Sequence, residues 1–147
     1  HALLIGINDY PRLRKLKGAV SDVHAMRSFL VNYLDVPDDG IHIRTLLDAD
    51  ATRDNIISSV SNLSEDPHIS KDDPILIFYA GYGSTLLMPT TKWSTDSSEV
   101  QCLVAYDAAH DSTGKYVEGV IPDFTLGSLL CGLGDAKGNN ITVILDC

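Results

Sequence analysis

The chain reads as an α/β protein, a mainly parallel sheet with helices on both faces. Three observations predict it. Short apolar β-type runs alternate with segments of helical period, the pattern of a sheet whose strands are linked by crossing helices. The run Ala2–Ile7 is continuously apolar, as a strand buried on both faces should be. Two further apolar runs, Ile75–Tyr79 and Ile141–Leu145, stop at polar groups: the first at Gly81-Tyr82-Gly83, the second at Asp146-Cys147. Functional side chains of an open α/β sheet gather at the C-terminal ends of its strands.

In chain order, Asn8-Asp9-Tyr10-Pro11 breaks the first strand. From about Lys17 to Leu34, Val23, Met26, Leu30 and Tyr33 recur at steps of three, four and three, which predicts one face of an amphipathic helix. Val36–Gly40 ends that helix, and Ile41–Leu47 follows as a second strand. Thr52 is placed to cap a helix carrying Ile56, Ile57, Val60 and Leu63. A polar loop over 64–74 leads into the strand Ile75–Tyr79. Residues 84–101, rich in Ser, Thr and Pro and holding the single Trp93, predict a long exposed loop. Cys102–Ala105 reads as a short strand and Asp107–Gly119 as loop. Pro122-Asp-Phe-Thr125 starts a third helix, with Asp123 or Thr125 as its cap and proline near its first turn. Ala136–Asn140 punctuates before the last strand.

At 147 residues the expectation is one domain with room for a substantial core. Hydrophobic residues make up 44% and charged residues 21%, which excludes a disordered chain. The net charge of −9 argues against nucleic acid or an anionic membrane as partner and favours cationic ligands. No apolar run approaches the roughly 20 residues that span a bilayer. Cys102, Cys131 and Cys147 have neither metal-ligand nor disulfide spacing, and an odd count with no leader-like segment predicts a reducing, cytoplasmic compartment. The chain has no initiator Met and opens on a strand, so the expectation is a piece of a longer protein.

Six separated blocks then make a pattern: ALLIGINDY, LKGAVSDVHAMRSFL, ATRDNI, DPILIFYAGYGS, IPDFTLGSLL and KGNNITVILDC. In this order, and across nearly the whole chain, they resemble metacaspases, with the likeness strongest to caspase-like proteins of fungi. The resemblance implies a caspase-like three-layer sandwich and a cysteine-type endopeptidase lineage. The chain would be its larger p20 portion, with a C-terminal p10-like region of the same protein as its partner.

Such proteins carry a catalytic His between the two glycines that follow the third strand. Here that position is Tyr82. They carry the nucleophile in a pattern Asp-x-Cys-His-Ser-Gly, which maps Asp146 onto the Asp and Cys147 onto the x, so the nucleophile falls one residue beyond Cys147. The other register, after Gln-Ala-Cys-Arg-Gly in caspases proper, makes Cys147 itself the nucleophile. The chemistry explains why both positions matter. A thiol near pKa 8.5 needs a neighbouring imidazole to form thiolate, and the imidazole then protonates the leaving amine. A phenol with a pKa near 10 is a poor base at pH 7. Gly83 resembles the glycine whose N–H helps form the oxyanion hole, and on its own residue type it reads as a turn residue with positive φ. Asp22 and Asp146 match the two carboxylates of the family's acidic substrate pocket, which implies protein or peptide substrates with Arg or Lys before the cut. Asp22 alone reads equally as a first-turn helix residue. Ala80 falls where many members have Ser.

Calcium is the one cofactor the resemblance raises. Asp123 matches one member of a calcium-binding Asp cluster, but Phe124 replaces a second carboxylate, and an ion that takes six or more oxygens loses by this. The expectation is therefore no metal and no cofactor. His24, His42, His68 and His110 read as solvent-exposed residues on or near loops and a polar helix face, not as a replacement base. Gly81-x-Gly83-Ser84 lacks the longer glycine pattern and the lysine of a phosphate loop. Tyr10, Tyr33, Tyr79 and Trp93 read as core or loop packing. Two functions of different class follow: a metacaspase-like peptidase that is inactive as this chain stands, and a pseudopeptidase that binds or regulates active relatives through its acidic cleft.

Overall fold

A computed structural model describes residues 1–87 and 99–147. Its elements run β1 (Ala2–Gly6), α1 (Ala19–Leu34), β2 (Ile43–Leu47), α2 (Arg53–Glu65), β3 (Ile75–Ala80), β4 (Gly83–Leu87), β5 (Glu99–His110), β6 (Tyr116–Pro122), α3 (Asp123–Lys137) and β7 (Ile141–Asp146). The central sheet has the order β2-β1-β3-β7 with every pair parallel. The alternation of side chains along β1 then fills two cores. Leu3 and Ile5 join Ile56, Val60 and Leu63 of α2 and Leu133 of α3 on one face. Ala2 and Leu4 join Ala19, Val23 and Leu30 of α1 on the other. This is the expected three-layer α/β arrangement.

A second, antiparallel sheet, β4-β5-β6, departs from the expectation of two loops at 84–101 and 107–119. Within the first stretch, residues 88–98, with Trp93, lie outside the described residues. Around them β4 pairs Gly83–Leu87 with Leu103–Glu99, and the short strand expected at Cys102–Ala105 extends over twelve residues to His110. Polar residues hid these strands, because an antiparallel sheet with a solvated face does not need the continuous apolar run of a buried parallel strand. The β5–β6 turn is closed by Asp111. Its Oδ1 accepts from the N–H of Thr113 at 2.8 Å and of Lys115 at 3.1 Å. Gly119 sits at φ +70°, and a Cβ there would lie 2.3 Å from the Ala108 backbone, so only glycine allows β6 to pass this irregular stretch of β5.

Smaller corrections have local causes. β2 begins at Ile43, not Ile41, because the amides of Ile41 and His42 are bound by Asp39 Oδ1 at 2.9 and 2.7 Å. Thr52 caps α2 as expected, accepting from Asn55 N–H at 3.3 Å. The cap of α3 is Pro122, with neither Asp123 nor Thr125 in that role, since the extended backbone of β6 runs straight into the helix. Tyr33 does not share the buried face of Val23 and Leu30. It is 76% exposed and stacks on Phe29, while Val31 of the same turn packs on the core.

One polar cluster ties the layers together. Asp66, just past α2, is buried, pairs with Arg44 of β2, and accepts from the N–H and Nδ1 of His68 at 2.8 and 3.0 Å. Lys137 at the end of α3 donates to the carbonyls of Asp66 and Ile69, both at 2.8 Å. The His68 N–H, its ring and Arg44 hold the Asp66 carboxyl below the usual range. A depressed folded-state pKa stabilises the fold above the unfolded value of about 3.9, and that contribution disappears as pH falls through the folded value. Asp66→Asn is therefore expected to cost about 2 kcal/mol at pH 7. The gap between thermal melts of the two proteins should be full at pH 7 and shrink as pH falls below about 3.9. A gap that does not shrink would remove the charge from this account.

Candidate active site

The site is built where β3 and β7 end side by side. Their register pairs Ala80 with Asp146, and Gly81 N–H donates to the Asp146 carbonyl at 3.2 Å. Tyr82 and Cys147 therefore follow the ends of adjacent parallel strands, two residues past Ala80 and one past Asp146. Asp22, in the first turn of α1, joins them from the other side. Asp22, Tyr82, Asp146 and Cys147 line one cleft of about 360 Å3, together with Lys17 and the Gly18-Ala19 entry to the helix. A Cβ at Gly18 would stand 3.3 Å from Asp22 Oδ2, so the bare residue leaves that carboxylate its place. Neither Asp22 nor Asp146 has a side-chain hydrogen bond or ion pair among the described residues.

Residue 82 is held by its backbone. Tyr10 and Tyr79 are buried completely, and their hydroxyls meet under the turn. Tyr82 N–H donates to Tyr10 Oη at 3.0 Å. Tyr79 Oη lies 2.8 Å from the carbonyls of both Tyr82 and Val104, and Tyr10 Oη donates to Val104 O at 3.0 Å. Val104 N–H returns to Tyr82 O at 3.0 Å. Burial pushes both phenols further from ionisation, so at neutral pH they are donors. Reading the sequence placed these tyrosines in packing roles and missed the clamp. A strand tyrosine carries no mark of which carbonyl its hydroxyl will find.

The glycines of the turn are required by close approach. Gly81 and Gly83 are not among the residues with positive φ, which corrects the turn-conformation reading of Gly83. A Cβ on Gly81 would lie 2.7 Å from the hydroxyls of both Tyr10 and Tyr79, and one on Gly83 would lie 3.0 Å from Cys147 Sγ. That tuck against Gly83, with the Asp146 carboxylate beside it, pushes the Cys147 thiol up, away from thiolate.

Asp123 lies elsewhere, in a neighbouring cleft of about 320 Å3 that it shares with Gly83, Cys102 and Cys147. Its Oδ1 accepts from Phe124 N–H at 2.6 Å. Among the described residues, no group of three or more His, Cys, Asp or Glu side chains could hold a metal ion. All five histidines are described, and none lines the cleft of Tyr82. His42 is bound to Asp39, His68 to Asp66, and His110 packs on Tyr116 with ring centroids 4.0 Å apart and planes tilted by 45°. No described helix is long and apolar enough to cross a membrane.

A parallel sheet between helix layers, with a glycine turn and an Asp-Cys strand end facing one acidic cleft, is the ground plan of a caspase-like domain. The family model described as "Caspase domain" matches residues 1–146, and the chain belongs to that family. It is similar to Metacaspase-7 of Arabidopsis thaliana, 32% identical over 72% of this chain and 26% of that protein. It is also similar to Metacaspase-5 of Trypanosoma cruzi, 31% identical over 99% of this chain and 31% of that protein. The chain therefore spans 31% or less of the length of these two curated relatives. Among solved structures, protein GSU0716 from Geobacter sulfurreducens superposes with a TM-score of 0.67 at 19% identity, covering 98% of this chain and 47% of that one, which shows the shared fold.

Proposed function

We propose that this chain is the cleft-bearing portion of a caspase-like protein that receives peptide segments at a basic residue but does not cut them as the sequence stands. The observation that carries the reading is Tyr82. By the family resemblance it stands where relatives carry the catalytic imidazole; it lines one cleft with the Asp146-Cys147 end of the next strand, and no histidine lines that cleft. The acidic floor is retained: Asp22 and Asp146 face the cleft, unpartnered among the described residues, and offer two carboxylates to a cationic side chain. A binding or regulatory partner of active relatives, a pseudopeptidase, is thus preferred to a working peptidase. The family's p10-like region is the natural cover for the edge of β7, where Ile144 and Leu145 are 39% and 47% exposed. The reading needs no cofactor.

The test is paired. Full-length protein should hydrolyse no Arg- or Lys-containing fluorogenic peptide, with or without calcium. The same peptides should bind, and Asp22→Asn with Asp146→Asn should weaken them at least tenfold, the loss of about 1.4 kcal/mol expected for removing charge-assisted contacts. Turnover that disappears on mutating Cys147 would make Cys147 the nucleophile and overturn the reading.

A further inference from the structure

We propose that Tyr82 is a recognition residue for a guanidinium group, its ring forming the wall of the cleft in which Asp22 and Asp146 supply the charge. This rests on the reading of the cleft as a receiver of basic side chains, and it adds what the exchange of imidazole for phenol does there. Tyr82 lines the same cleft as both carboxylates, the two acidic side chains that line it among the described residues. The ring is set in advance. Tyr10 and Tyr79 hold the backbone N–H and carbonyl of residue 82, and the Tyr82 ring packs on that of Tyr10 with centroids 5.1 Å apart and planes at 48°. A wall already fixed loses little freedom when a ligand arrives. The one cationic side chain at the cleft, Lys17, makes no ion pair among the described residues and so leaves both carboxylates uncompensated.

The chemistry selects arginine. A guanidinium is planar and weakly hydrated, so it stacks on an aromatic face while its fork of N–H groups reaches carboxylates in its own plane. An ammonium is compact and strongly hydrated and gains less from a ring beside it. A phenol keeps its π-face neutral across physiological pH, whereas an imidazole in that place would protonate and repel the cation as pH falls. The replacement that removes a base thereby supplies an aromatic contact.

The experiment is calorimetric titration of the full-length protein with the amidated peptides Gly-Arg-Gly and Gly-Lys-Gly. The arginine peptide is expected to bind about fivefold more tightly than the lysine peptide. Tyr82→Phe should keep that ratio, Tyr82→Leu should bring it to about one, and Asp22→Asn should weaken both peptides alike. Thermal melts establish that each variant is folded, and the Phe variant tests the ring where the Leu variant is not. Equal binding of the two peptides by the wild type, or an unchanged ratio in Tyr82→Leu, overturns the role of Tyr82 while the Asp22→Asn result upholds the acidic cleft. Failure of both peptides to bind, or binding indifferent to Asp22→Asn, overturns the cleft reading and the inference with it.

Discussion

Restoring the imidazole is expected to restore cleavage. In a full-length protein with cysteine at the position after Cys147, native or introduced, Tyr82→His should raise hydrolysis after Arg and Lys by about 100-fold or more, the usual contribution of a positioned general base. The structure explains why so large a gain is expected from one substitution. The clamp that displays residue 82 acts on its N–H and carbonyl through Tyr10 and Tyr79, so it holds a histidine where it now holds a tyrosine. Gly83 and the register of β3 with β7 are intact. A cysteine without the imidazole, or the imidazole without the cysteine, should do little, because nucleophile and base act as a unit and their effects are not additive. A peptide-library cleavage assay on the single and double variants reads this out. A folded double variant that stays silent would mean the cleft has diverged beyond its base, and the binding reading would then stand alone.

Gly81→Ala is expected to cost about 2 kcal/mol, a fall in Tm of about 4–8 °C, because the methyl has nowhere to go. Its Cβ would sit 2.7 Å from the hydroxyls of Tyr10 and Tyr79 and 2.9 Å from Tyr79 Cζ, and both rings are fully buried. Relief must come from moving the turn, which breaks the bonds that hold residue 82. Combining Gly81→Ala with Tyr79→Phe removes one of the two obstructing oxygens, so the double variant should be more stable than the sum of the single losses predicts. Strict additivity in thermal or urea denaturation would show that the collision is not with Tyr79. Amide exchange at Tyr82 should rise in Gly81→Ala ahead of global unfolding, since its partner is the Tyr10 hydroxyl.

The sequence by itself determined the parallel sheet, its three helices and the ends of the strands that carry the site. Apolar runs and helical spacing are local signals: β1 and β3 are buried strongly enough to leave them unmixed, and β7, half-buried to exposed at the sheet edge, keeps an apolar run all the same. The same local reading missed β4 and β6 and caught only Cys102–Ala105 of β5, where polar residues stand in the strands, and it failed for Tyr33, which its helical spacing puts with Val23 and Leu30 but which is exposed. Tyr82 and Asp146 stood out as strand-end polar residues before any coordinates. The family resemblance put Asp22 and Asp146 in one pocket; the physical reason that they share a cleft with Tyr82 is the parallel register of β3 with β7 and the seating of α1 against the sheet. The reason for the glycine turn was also tertiary. Gly81 is bare because two phenols from β3 and the loop after β1 converge beneath it, and Gly83 because the Cys147 sulfur arrives from another strand. Local sequence records what a segment buries, and contacts between segments distant in the chain decide which atoms it meets.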